Sequence, residues 1–149
     1  MADIKTLIEG LTDRDNANAY GNLKELLKMS AEAEGVYAFF DSFVLLLDSD
    51  NSYVRSRALE LISANARWDR DCKIDEIIDE YLKHILDDKP ITSRQCIKAL
   101  PEIACRKPEL RDDIKRALGS ANPARYKDSM RSLVQRDIQQ ALEKIERMN

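Results

Sequence analysis

The chain has 149 residues, with 24 Lys and Arg against 27 Asp and Glu, a single His and a formal net charge of −3. At 44% apolar and 34% charged, with the signs nearly balanced, it can fill a core and is not a disordered polyelectrolyte. Four Gly and four Pro are too few for a turn-rich all-β fold, and no uncharged run reaches the roughly 18 residues of a membrane helix.

The start, Met1-Ala2-Asp3-Ile4-Lys5, lacks the basic and apolar run of a secretion signal, so a cytoplasmic protein is expected. Cys72, Cys96 and Cys105 are widely spaced with no C-x-x-C, which predicts reduced, buried thiols rather than a disulfide or metal site. Nine residues separate Cys96 from Cys105, which puts them on opposite sides of one helix.

Helical periodicity runs nearly end to end. Ile4, Leu7, Ile8 and Leu11 open it; Leu23, Leu26 and Leu27 mark a second segment. Phe39, Phe40, Phe43, Val44 and Leu47 mark a third, and Val54, Ala58, Leu61, Ile62 and Asn65 a fourth. Asp48-Ser49-Asp50-Asn51-Ser52 supplies capping acceptors between them. The fifth segment holds Ile74, Ile77, Ile78, Tyr81, Leu82 and Ile85, and the sixth Cys96, Ile97, Leu100, Ile103 and Ala104. Thr92 with Gln95 predicts a capping box for the sixth, and Pro101 inside it predicts a kink. Leu110, Ile114, Ala117 and Leu118 form a seventh, which Gly119 is expected to end. Pro108 and Pro123 stand where first helical turns begin. The eighth, roughly 126–148, carries Met130, Leu133, Val134, Ile138, Ala141, Leu142 and Ile145, and should turn Gln139, Gln140, Glu143 and Lys144 to water.

The segments repeat in pairs. Offsets of 36, 38 and 33 residues bring both helices of one pair onto the next: Ile4, Leu7 and Leu23 onto Phe40, Phe43 and Leu59, for example. A period in the thirties with two helices per unit marks an α-solenoid, in which stacked pairs share a core. The expected architecture is therefore all-α: one domain over 1–149, a right-handed superhelix of about four antiparallel pairs at 2–31, 32–69, 70–107 and 108–149.

The stretch Asp50-Asn51-Ser52-Tyr53-Val54-Arg55-Ser56-Arg57-Ala58-Leu59-Glu60-Leu61-Ile62 resembles the opening of a second helix in the HEAT-repeat family, with its Asp/Asn turn, Val-Arg, small residue and aliphatics. Thr92-Ser93-Arg94-Gln95-Cys96-Ile97 follows the pattern loosely, and small bacterial HEAT-like proteins are similar in kind. The resemblance implies that second helices line the concave side. Aligned positions then form two ridges: Tyr20, Ser56, Arg94 and Lys127, and beside it Lys24, Glu60, Lys98 and Arg131.

Charge divides between the helices. Residues 32–48 hold Glu32, Glu34, Asp41 and Asp48 and no base, whereas residues 89–136 carry twelve bases and five acids. The expected partner surface is Tyr20, Lys24, Arg55, Arg57, Arg94, Lys98, Lys127 and Arg131. Its expected ligand is a protein with an acidic surface, with nucleic acid as the second candidate.

No convergent chemistry accompanies this surface. His84 alone cannot build a His-based metal site and reads as a partly buried structural imidazole. Asp75/Asp79 and Glu76/Glu80 read as a solvated acidic face at a helix N-terminus. Trp68 followed by Asp69 resembles, distantly, the aromatic and Asp pair of HEAT-like DNA glycosylases, although packing of Trp68 between repeats is the favoured reading. The expectation is a non-catalytic adaptor or scaffold without cofactor or metal, with a glycosylase-like nucleic-acid binder as the alternative.

Overall fold

A computed structural model describes residues 3–148. Among them the chain forms eight α-helices joined by short 3-10 turns, with no strand. It divides into two compact units, residues 1–71 and 72–149. Ala2 and Asn149, where the first and last expected pairs begin and end, lie outside the described residues.

In the first unit, α1 (Ile4–Glu9) is N-capped by Asp3, whose Oδ1 accepts from Thr6 N at 2.7 Å. The Thr6 amide, then the Thr6 hydroxyl, hold the Asp3 carboxyl below its ordinary value. A 3-10 turn, Gly10–Thr12, follows. α2 (Asn16–Glu32) is capped by Asp15, which accepts from Ala17 N and Asn18 N. Gly10 has an ordinary φ of −71°; its value is space, because a Cβ there would strike the Asn22 side chain. The third periodic segment becomes a 3-10 turn, Gly35–Phe39, and a short α3 (Phe40–Leu46). Asn51 caps α4 (Ser52–Ala64) by accepting from Tyr53 N at 2.9 Å, as its place in the polar run leads one to expect.

Leu7, Leu11, Leu23, Leu26, Phe40, Phe43, Leu59 and Ile62 form the core of this unit. α2 packs on α1 and α4, and α3 packs on α4. Polar contacts fix the direction of α2 against α4. Arg57, midway along α4, reaches Asn16 at the start of α2, and Asn65 and Trp68, just past the end of α4, reach Ser30 near the end of α2. Both helices advance the same way.

In the second unit, α5 (Lys73–Leu82) follows Cys72, the one non-glycine residue with positive φ (56°) among those described. A 3-10 turn, Lys83–Leu86, leads to α6 (Pro90–Arg106). The expected capping box is corrected here. α6 starts at Pro90, two residues before Thr92, and Thr92 is buried within the helix. Proline presets the first helical φ and has no N–H to satisfy, so it begins the helix without a side-chain cap. Asp87 instead holds Lys89 N at 2.9 Å. α6 continues through Pro101 as one α-helical run.

Pro108 and Pro123 each open a 3-10 turn, Pro108–Leu110 and Pro123–Arg125. α7 (Arg111–Ser120) runs through Gly119 instead of stopping there, and Ala121 ends it in an extended conformation. α8 (Asp128–Glu146) leaves Gln139, Gln140, Glu143 and Lys144 exposed. Tyr81, Ile74, Ile97, Leu100, Ile103, Ile114 and Val134 are buried in this unit, where α6 packs on α7, α8 and the 83–86 turn.

The cysteine expectation holds only in part. Cys96 is buried, but Cys72 and Cys105 are exposed. Cys72 stands just ahead of α5, and Cys105 is on the outward side of α6, away from Cys96. Burial pushes the Cys96 thiol well above its ordinary pKa.

Candidate docking faces

The first unit keeps Tyr20 and Lys24 on its surface. Tyr20 is 58% exposed, and the Lys24 ammonium sits 5.5 Å from the centre of its ring. On α4 the outward stripe is Tyr53, Ser56, Glu60 and Ala64, spaced by three or four residues. Tyr53, 56% exposed, was not in the expected set. Its signal was its place three residues before Ser56 on the aligned ridge. Of the five tyrosines, Tyr37, Tyr81 and Tyr126 are buried and only Tyr20 and Tyr53 face out.

Arg55 and Arg57 are placed otherwise than expected. Both are buried, at 8% and 6% exposure. Arg55 Nη1 donates to Ser49 O at 2.9 Å. Arg57 Nη1 donates to Leu11 O at 2.8 Å and its Nη2 to Asn16 Oδ1 at 3.0 Å. Burial lowers the Arg57 pKa, but a guanidinium starts high enough to stay charged. These two side chains fasten α4 to neighbouring turns and do not present charge to a ligand.

In the second unit, Arg94 Nε lies 2.6 Å from Asp137 Oδ2, a carboxylate only 4% exposed, and so joins α6 to α8. Arg125 Nη1 donates to Leu86 O, and the Tyr126 hydroxyl donates to Asp87 O. From these contacts to the Arg94–Asp137 pair, both helices advance in the same direction. Arg94 meets α8 nearly three turns beyond Lys127, which the repeat alignment set beside it. Lys98 and Lys127 are exposed. Arg131 pairs with exposed Asp128 at 3.2 Å and donates to Ala124 O and Tyr126 O. Six residues separate Arg131 from Asp137, or about 120° around the helix. Arg131 therefore lies off the α6 side of α8. Lys144, seven residues after Asp137, returns to within about 20° of it and shares a face with Lys98.

The residues considered for chemistry are tied to their surroundings. His84 Nδ1 lies 2.8 Å from Asp87 Oδ2, and its side chain is 15% exposed. The hydroxyls of Ser93 and Tyr126 donate to Ile85 O and Asp87 O. Trp68 Nε1 donates to Ser30 O at 2.7 Å, and Arg67 stacks on its ring at 5.2 Å. Buried Asp69 accepts from the Tyr37 hydroxyl at 2.7 Å, which also reaches Asp71 at 3.1 Å. Burial, then the Asp69 carboxylate, pushes the Tyr37 pKa far above its ordinary value.

On α5, Glu76, Asp79 and Glu80 face outward. Asp75 lies 2.7 Å from the buried Lys107 ammonium, although its Oδ1 has no well-aligned donor, so charge holds the pair. Among the described residues no group of three or more His, Cys, Asp and Glu is placed to hold a metal ion, and no helix is long and apolar enough to cross a membrane. Comparison with family models, with curated proteins and with solved structures finds no match to this chain.

Proposed function

We propose that the protein is a HEAT-like adaptor or scaffold, a right-handed stack of about four antiparallel helix pairs, that binds a macromolecular partner on the faces of its second helices. The internal offsets in the sequence support the stacking. So does the parallel advance of α4 along α2 and of α8 along α6 within their units. The observation that carries the docking reading is the cation left over on each of these faces. Lys24 and Lys98 are exposed, and among the described residues neither has a carboxylate within ion-pair distance. Other bases do meet acids, as in Arg94–Asp137, Arg106–Glu102 and Lys107–Asp75. Solvated lysines flanked by exposed Tyr20 and Ile91 make a surface with both charge and apolar area to offer.

The second reading is a nucleic-acid binder. The excess of twelve bases over five acids in residues 89–136 favours it, and phosphate contacts would make its binding collapse with salt.

Photo-crosslinking in cells tests both. A benzoyl-phenylalanine at Tyr20 or Ile91, on second helices, should capture a protein, whereas one at Leu45 or Asp79, on first helices, should not. Equal capture from all four positions contradicts the docking reading. Capture of RNA or DNA alone favours the second.

A further inference from the structure

We infer that the docking face of the second unit is the α6–α8 surface marked by Ile91, Lys98 and Lys144, and that its occupant is a short acidic peptide segment carrying an aliphatic or aromatic side chain. This rests on the docking reading above and names the chemistry of the partner. The Arg94–Asp137 pair sets the register of the two helices. One turn past Arg94 comes exposed Lys98; two turns past Asp137 comes exposed Lys144, with exposed Gln140 between. Seven residues before Lys98, on the same stripe, stands Ile91, 60% exposed at the start of α6.

This face carries a surplus of cation. Arg94 is matched by Asp137, and Arg106 by Glu102 at 2.8 Å. Glu146 turns to Lys115. Glu143 precedes Lys144 in sequence but is about 100° around the helix. Among the described residues, neither Lys98 nor Lys144 has a carboxylate within ion-pair distance. The two ammonium groups and one aliphatic side chain suit a few carboxylates and one apolar anchor. A nucleic-acid backbone repeats its charge onward past this patch and brings no aliphatic side chain to the exposed Ile91. The short acidic peptide is therefore the better fit.

The test is fluorescence anisotropy with a labelled peptide of alternating glutamate and leucine, at low and physiological salt. Wild type should bind, and binding should weaken as salt rises. Lys98→Glu with Lys144→Glu should weaken it by about tenfold or more, while Lys24→Glu in the first unit should change it by less than about twofold. All three positions are exposed, and thermal melts check that each variant folds. An unchanged affinity in the double variant, or an equal loss from Lys24→Glu, overturns the inference. So does tighter binding of a labelled single-stranded oligonucleotide. A wild type that binds no acidic probe also overturns it, yet protein captured from Tyr20 and Ile91 in the crosslinking experiment would leave the broader docking reading standing.

Discussion

Arg57 on α4 and Lys98 on α6 are both cations, and their surroundings are opposite: one is buried, the other exposed. Arg57 is buried and gives two hydrogen bonds to atoms more than forty residues earlier in the chain. Arg57→Ala should lower unfolding stability by about 2 kcal/mol, since Leu11 O loses a charged donor inside the protein. A urea titration followed by the emission of Trp68 would measure it, and Arg57→Lys should recover only part, because an ammonium lacks the fork that reaches both acceptors. Periodicity marked the faces that carry apolar residues. It could not tell a solvated arginine from a buried one, since that depends on which distant carbonyl the fold brings within reach. Tyr37 shows the same limit. It reads as one more periodic aromatic, yet its hydroxyl serves Asp69 and Asp71. Its folded-state pKa is raised above the ordinary 10.0. The stability it contributes is therefore full below about pH 10 and is lost as pH rises beyond that. Tyr37→Phe should cost about 1–2 kcal/mol near neutrality. It should also flatten the alkaline fall in melting temperature, and an unaltered alkaline profile would refute this account.

Helix ends were legible where a side chain does the capping and less so where a proline does. Asn51 sits in a polar run that announces a helix start, and the structure uses it as such. Asn51→Ala should cost about 1 kcal/mol by thermal or urea unfolding. At α6 the Thr92–Gln95 signal was misleading, because Pro90 starts the helix earlier without needing an acceptor. Gly119 likewise reads as a stop, but nothing in its surroundings requires the left-handed backbone that makes glycine a terminator, and α7 passes through it. Pro101 is the costly feature of α6. It withholds one N–H from the middle of a 17-residue helix. Pro101→Ala should raise stability by about 1–3 kcal/mol, and a lower melting temperature would show that the local geometry is built around the proline ring.

Across the chain, charge is partitioned more sharply than the total suggests. Residues 1–71 hold thirteen acids and eight bases, and residues 72–149 fourteen acids and sixteen bases, so one unit is negative and the other slightly positive. Copies in solution should attract at low salt and do so less as salt is added, readable as a rise in the second virial coefficient by light scattering. A flat response would mean that the surplus charges do not act between molecules. The helical class and the identity of the helices were open to reading because both depend on spacing within the chain. The proposed docking face was only half open to it: the placing of Lys98 follows from periodicity, whereas that of Lys144 depends on the Arg94–Asp137 register. The internal offset placed Lys127 and Arg131 there instead, since repeat alignment compares apolar positions and is blind to the ion pair that sets how far α8 slides along α6. α4 has one further consequence. Val54, Arg55, Arg57, Ala58, Leu59, Leu61, Ile62 and Ser63 are all buried. Little more than the line through Tyr53, Ser56, Glu60 and Ala64 reaches solvent, so a substitution elsewhere on α4 has to be absorbed by the packed interior before it can be felt outside.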